Sequence, residues 1–205
     1  MLTGIEHIFC INLDRRPDRW YVISNAIKRA GLTVERVSAI DCNLHNISGE
    51  KACFLSHKKV LEKAVEMNLN TFLVLEDDAV FCRNFVETFN TTIKLLPRDW
   101  ELFYLGGNLA CAKEKNIGAT LVKDNLYSHK YIRGSQAVVF NLESCKKILE
   151  NLIEDVDIDL NYKDICKNES YISHPPICWQ QPGFSDIVNE FFDYGKNPGF
   201  EVLVK

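Results

Sequence analysis

The chain opens with a continuous apolar run, His7 to Leu13, rich in β-formers, that stops at Asp14-Arg15-Arg16-Pro17-Asp18-Arg19. Such a run predicts a buried strand. Pro17 suits the first turn of a helix. Trp20 to Arg29 continues with helical spacing until Gly31 ends it. Val34 to Ile40 reads as a second strand, ending at Asp41. Ser48 is a candidate N-cap for a helix from Gly49 to Met67, where Cys53, His57, Val60, Leu61 and Ala64 share a face at steps of three and four. Thr71 to Leu75 is unbroken apolar sequence, the pattern of a central strand covered on both faces. It stops abruptly at Glu76-Asp77-Asp78.

The second half is less regular. Asn84 to Leu96 predicts a helix, and Trp100 to Leu105 a strand closed by Gly106-Gly107. Asn108 to Asp124 has mixed polarity and reads as loop or hairpin. Tyr131 to Phe140 reads as a strand interrupted by Gly134. Leu142 to Leu152 and Asp155 to Cys166 read as helices. Tyr171 to Trp179 is a short strand broken by Pro175-Pro176, and the Gly- and Pro-rich tail from Gln180 reads as mostly irregular. Strands and helices alternate through the first half, which implies an α/β fold on a parallel sheet. Ligands of open parallel sheets bind at the carboxyl ends of the strands, where the unusual polar clusters of this chain fall.

With 205 residues the chain can bury one sizeable core, and 46% hydrophobic and 25% charged residues are ordinary globular values. A net charge of -4 provides no global basic field for nucleic acid or anionic lipid. No apolar run reaches the roughly 20 residues a membrane span needs. The start lacks a basic region and a small-residue cleavage site, so it reads as a strand and not as a secretion signal. Eight cysteines are scattered without a C-x-x-C pair, which argues against structural zinc. They read as reduced thiols, and the expectation is a cytoplasmic protein.

The strongest chemical signal is Glu76-Asp77-Asp78. Three carboxylates at the end of a buried strand must be solvated, neutralised or metal-bound. Mg²⁺ or Mn²⁺ takes such oxygen ligands together with substrate phosphates, and a nucleotide-sugar diphosphate would supply those phosphates. The plain alternative is an exposed acidic turn; the buried strand before the triplet favours function. Arg15 and Arg16 can meet phosphate oxygens in bidentate fashion or form a solvated turn. Asp41 can bind a ribose or merely cap a helix. Glu50, Ser56 and His57 lie on the second predicted helix, where an inward His is more often a hydrogen-bonded core residue. Asp157 and Asp159 suit a general base, which an inverting sugar transfer needs, and suit helix capping equally well. Gly134-Ser135-Gln136 marks either a close approach of backbone to ligand or a plain bulge. Gln180, Gln181, Ser185 and Asp186, taken alone, read as surface loop.

Six segments in order, IFCINLDRRPDRW (8–20), SGEKACFLSHKKVLEKA (48–64), FLVLEDDAVF (72–81), WELFYLGG (100–107), IRGSQAVVF (132–140) and QPGFSDI (181–187), resemble glycosyltransferase family 25, the lipopolysaccharide-biosynthesis and collagen-galactosyltransferase group. The resemblance implies a GT-A type fold: a Rossmann-like nucleotide-binding part over about residues 1–107 and an abbreviated acceptor-binding part over about 108–205, in one domain. It implies an inverting transferase using Mn²⁺ (or Mg²⁺) and a UDP-sugar, commonly UDP-galactose, with a glycan or hydroxylated-peptide acceptor. It puts Leu13, Arg15 and Asp41 around the nucleotide, with Ser56 and His57 on the donor side. Asp78 falls at the metal and diphosphate, Glu76 at the first acid of the D-x-D pattern, and Asp77 in support. Gly134 and Gln136 fall near the sugar or acceptor, and Gln181, Ser185 and Asp186 late in the site. Asp157, then Asp159, are the candidates for general base. The pattern here is E-D-D and not D-x-D.

Two other enzyme classes fit less well. A phosphohydrolase usually carries its reactive Asp on the first strand or pairs it with a later Lys, and a pyrophosphorylase needs a Gly-rich phosphate loop near its start. Neither feature is present. A binding module that keeps the fold without turnover is the remaining alternative.

Overall fold

The computed structural model describes residues 1–107, 119–187 and 190–192. One eight-stranded sheet forms its centre, in the order β2-β1-β3-β8-β5-β9-β7-β6. The strands are β1 (His7–Asn12), β2 (Glu35–Ser38), β3 (Thr71–Glu76), β5 (Leu102–Tyr104), β6 (Thr120–Lys123), β7 (Leu126–Ser128), β8 (Ala137–Asn141) and β9 (Ser170–Ser173). β2, β1 and β3 are mutually parallel, as the alternating first half predicts. The whole sheet, however, is mixed: β8 runs antiparallel between β3 and β5, and β7 and β6 continue antiparallel beyond β9. The purely parallel expectation fails where the strict strand–helix alternation ends. Strands from both halves of the chain share this one sheet.

Side-chain alternation on the sheet builds two cores. Phe9, Phe72, Val74, Val138 and Phe140 face the layer of α3 (Gly49–Glu66), α5 (Leu142–Asn151) and α6 (Ile158–Ile165). Ile8, Cys10, Leu73, Leu75 and Val139 face α1 (Pro17–Arg29) and α4 (Phe85–Thr92). β3 is therefore covered on both faces, which is why it reads as an unbroken apolar run. Phe72 and Phe140 stack with ring centroids 5.4 Å apart, and Tyr162 meets Phe140 edge-on at 5.2 Å, geometries aromatic pairs favour.

Local signals set most helix ends. Pro17 stands at the start of α1, and Gly31 follows its end with φ +66°. The Ser48 hydroxyl accepts from the Lys51 amide as the N-cap of α3. Asn141 and Ser144 form a reciprocal capping box on α5. A four-residue helix α2 (Cys42–His45), capped by Asp41, is an addition to the predicted elements.

Other boundaries differ from the sequence pattern. β8 begins at Ala137, so Gly134 precedes the strand and does not interrupt it. The predicted strand over 171–179 is two elements, β9 and β10 (Cys178–Gln180), separated by Pro175 and Pro176. β10 pairs with β4 (Ala79–Phe81), and β11 (Gly183–Ser185) with β12 (Glu190–Phe192), so the expected irregular tail begins at the end of one short ribbon and contains a second. The expected loop or hairpin over 108–124 is a hairpin of β6 and β7 from residue 120; residues 108–118 lie outside the described residues. Among the described residues no helix is long and apolar enough to cross a membrane, and every described cysteine is free.

Candidate functional site

Parallel pairing sets the ends of β1 and β3 side by side, with Ile11 opposite Glu76. β8 runs the other way, so its entry arrives at the same edge, where the Glu76 amide donates to the Gln136 carbonyl at 2.9 Å. The polar residues after β1, after β3 and before β8 thus converge at one edge of the sheet, the usual ligand position of such sheets. A cleft opens there, lined by residues of β1, α1, α3, the acidic triplet and the stretch 185–187, with about 780 Å³ of free space counting its solvent-open mouth.

The three carboxylates divide their partners. Glu76 Oε1 accepts from Ser135 Oγ at 2.5 Å and meets His57 Nε2 at 3.2 Å. A carboxylate can only accept, so Nε2 carries the proton and His57 Nδ1 faces the Tyr162 hydroxyl at 3.2 Å. Asp77 is 8% exposed, takes 2.7 Å from Asn12 Nδ2 and pairs with Arg19 Nη1 at 2.9 Å. Asp78 Oδ2 accepts from Gln180 Nε2 at 3.0 Å and lies 3.5 Å from Arg19. Among the described residues, Asp78 Oδ1 is buried without a hydrogen-bond partner.

Charge follows from this arrangement. Burial drives Asp78 up to about 7, and the neighbouring Glu76 charge adds to it. Burial likewise raises Asp77 against the opposing pull of Asn12 and Arg19. Burial presses Glu76 upward too, but the hydrogen bonds from His57 and Ser135 outweigh it and hold it below the usual range. Two of three acids are therefore short of positive charge. A buried carboxylate oxygen with no donor, beside two further carboxylates and one guanidinium, suits a hard divalent cation. Glu76 and Asp78 offer carboxylate oxygens on this cleft, and Asp77 is already committed to Asn12 and Arg19.

The carboxy-terminal stretch closes one side of the cavity. Arg15 Nη1 meets Asp186 Oδ1 at 2.5 Å, Arg16 meets the other Asp186 oxygen, and Arg19 Nη2 donates to the Phe184 carbonyl at 2.6 Å. Burial works against the Asp186 carboxylate, yet the two guanidiniums hold it below its ordinary value. A Cβ on Gly49 would lie 2.4 Å from the Ile187 carbonyl oxygen, so only glycine lets this stretch pack on the start of α3.

Most of the expected residues come together. Leu13, Arg15, Ser56, His57, Glu76, Asp77, Asp78, Ser185 and Asp186 line the cavity. Asp41 caps α2 and pairs with Arg15 Nε at 2.9 Å behind the wall. Ser56 accepts from the Ile40 amide at 2.8 Å and so ties the exit of β2 to α3. Gln181 donates its amide to the Asp78 carbonyl at 2.8 Å, while the side chain on the wall is that of Gln180. Gly134 (φ +96°) and Gln136 stand behind the wall, with Ser135 reaching Glu76. Asp157 and Asp159 do not line the cavity. Both face Arg133, at 3.6 and 3.1 Å, and Asp159 also accepts from the Gly134 amide at 3.2 Å.

Asn12, Arg19 and Gln180 hold the acids but send weak signals in the sequence. Asn12 is a polar residue closing an apolar strand, Arg19 is one arginine among three, and Gln180 reads as tail.

Comparison with known proteins bears on the family. The profile of "Glycosyltransferase family 25 (LPS biosynthesis protein)" matches residues 45–173. A "Glycosyltransferase 25 family member" of Aedes aegypti is 30% identical over 203 aligned residues, covering 83% of this chain and 33% of that protein. Human "Procollagen galactosyltransferase 2" is 28% identical over 173 residues, 71% of this chain and 28% of that protein. A "Probable inactive glycosyltransferase 25 family member 3" of Bos taurus is 27% identical, over 71% of this chain and 29% of that protein. The chain thus spans about a third of the length of these curated relatives. A family profile matched over residues 45–173, more than half of the sequence, settles the assignment: the chain belongs to glycosyltransferase family 25.

Proposed function

We propose that the chain is a metal-dependent, inverting glycosyltransferase of GT-A type. It moves a hexose, with galactose first among the candidates, from a UDP-sugar to a hydroxyl of a glycan or hydroxylated peptide. The observation that carries this reading is Asp78: a buried carboxylate with one unpartnered oxygen, beside Glu76, on a cavity that also bears Arg15 and Arg19. Glu76 and Asp78 would hold Mn²⁺ or Mg²⁺, which when bound neutralises charge building on the leaving diphosphate.

The chain's own groups supply the rest. Residues 1–107 form the nucleotide-binding part, with Leu13 and Asp41 toward the nucleoside, and residues 108–205 the acceptor-binding part. Arg15 and Arg19 present guanidinium donors toward diphosphate oxygens. Asn12 fixes Asp77, and His57 and Ser135 fix Glu76, so the acids are oriented before ligand arrives. Gly134 and Gln136 shape the sugar and acceptor side, with Gln181, Ser185 and Asp186 bordering the opposite wall. Asp157, with its side chain 44% exposed and paired only loosely to Arg133, is the general base that takes the proton of the attacking hydroxyl. Asp159 is more tightly committed to Arg133 and Gly134 and ranks second. The name of the procollagen galactosyltransferase relative supports galactose as the sugar and a procollagen-like peptide as acceptor.

The relative named as probably inactive supports a second reading, a donor-binding module without turnover. Calorimetry with a panel of nucleotides and nucleotide-sugars, each with and without Mn²⁺, tests both. Metal-dependent binding of UDP-sugars with donor hydrolysis or transfer supports the enzyme. The same binding without hydrolysis or transfer supports the module, and no nucleotide binding under any metal condition overturns both.

A further inference from the structure

We infer that Cys53, His57 and Glu76 form a site for a borderline-soft divalent ion of the zinc type, chemically distinct from the all-carboxylate set. Cys53 and His57 stand one turn apart on α3, and Glu76 ends β3 opposite them. Cys53 Sγ, one His57 ring nitrogen and a Glu76 oxygen all lie within 4.8 Å of one another. In a tetrahedral site with bonds of about 2.0–2.3 Å, ligand atoms stand roughly 3.5 Å apart, so small side-chain shifts close the shell. All three residues line the cavity, which leaves a fourth position open to water or an added ligand.

The surroundings also suit an ion. His57 is 2% exposed, and its other ring nitrogen meets the Tyr162 hydroxyl at 3.2 Å, whose oxygen can accept a hydrogen bond from Nδ1–H when the imidazole carries its proton there and Nε2 binds metal. Ser135 steadies the Glu76 carboxylate at 2.5 Å. A thiolate ligand selects zinc over Mg²⁺ or Mn²⁺. Binding releases the Cys53 thiol proton to solvent and leaves the thiolate on the ion. Glu76 belongs to both ligand sets, so under the transferase reading zinc competes with the hard cation; the ion-binding claim does not rest on that reading.

The experiment loads the full chain with Zn²⁺ in the absence of nucleotide and reads its coordination shell by X-ray absorption, with Co²⁺ as an optical probe. One sulfur at about 2.3 Å from zinc and a thiolate-to-cobalt charge-transfer band are expected. Cys53→Ser should remove both signals and weaken binding at least about tenfold, whereas Cys82→Ser, outside the cavity, should keep them. If Cys53→Ser does not fold, judged by thermal unfolding without metal, His57→Gln should show the same weakening. A shell without sulfur, a sulfur that survives Cys53→Ser, full affinity in His57→Gln, or no binding overturns the inference. Because nucleotide is absent throughout, each such failure leaves the proposed transferase untouched.

Discussion

The side-chain amide of Asn12, the last residue of β1, donates to Asp77 Oδ2 at 2.7 Å, joining strand ends that are 65 residues apart in sequence. Asn12 Oδ1 also accepts from Arg36 Nε at 2.8 Å. One buried amide thus serves an acid and a base on neighbouring strands. Asn12→Ala leaves Asp77 with Arg19 and takes from Arg36 its Nε partner, while Arg36 keeps Asp14 at 2.7 Å. A loss of about 1–3 kcal/mol is expected, the range for leaving a buried polar group unsatisfied. Denaturant unfolding measures it; a change below a few tenths of a kcal/mol would show that water replaces the amide freely.

Asp186 gives a prediction about local order. Its carboxylate is shared by Arg15 and Arg16 and fastens residues 183–187 over the cavity. Partly exposed pairs contribute little to global stability, so Asp186→Ala should leave the midpoint of unfolding nearly unchanged. Amide exchange in residues 183–187 should instead rise well above wild type while the strands of the central sheet keep their protection. Uniformly faster exchange across the sheet would mean that the fastening supports the whole fold.

How much of this could be read beforehand follows from where each signal lives. β1, α1, β2, α3 and β3 are legible because their apolar periods are long and their stops are local: Pro17, Gly31, Ser48 and the acidic triplet. The antiparallel insertion of β8 is not legible, because Val138 to Phe140 reads the same in either direction and its partner strands are chosen by tertiary pairing. The acids of the site announce themselves as a run of like charge. Their partners do not: Asn12, Arg19 and Gln180 each become significant only once β1, α1 and β10 are folded against β3. The same reason hides the Cys53–His57–Glu76 grouping, whose helical half shows an i, i+4 spacing but whose third member arrives from β3.

The assignment of the general base is tested by comparing two neighbours. Asp157→Asn should bind donor as wild type does while transfer falls about 10²–10⁴-fold, the range for loss of a placed acid/base group. Asp159→Asn disturbs Arg133 and the Gly134 backbone, so it should raise the acceptor KM more than it lowers kcat. Steady-state kinetics with a saturating UDP-sugar separates them. Normal turnover by Asp157→Asn together with collapse of kcat in Asp159→Asn would reverse the two roles.

Asp78 couples stability to function in opposite directions. Its folded value, pushed up to about 7, lies above the ordinary 3.8, so the folded chain holds this proton more tightly than the unfolded chain does. The stabilisation is present at acid pH and is lost as pH rises from about 4 through 7; above 7 the ionised, underpartnered carboxylate weighs on the fold. Asp78→Asn removes that charge while keeping a group that can pair with Gln180. In metal-free protein at pH 8 the variant should be more stable than wild type, by on the order of a few kcal/mol, and the gain should vanish near pH 4. Metal-dependent donor binding should disappear at every pH. In wild type it should weaken as pH falls below about 7, because the cation must displace the Asp78 proton. Thermal unfolding across pH, with calorimetry of UDP-sugar plus Mn²⁺ on both proteins, checks the pair of effects. A variant that binds donor with metal as well as wild type removes Asp78 from the metal site. A variant that gains no stability at pH 8 shows that the wild-type carboxylate already has a partner there.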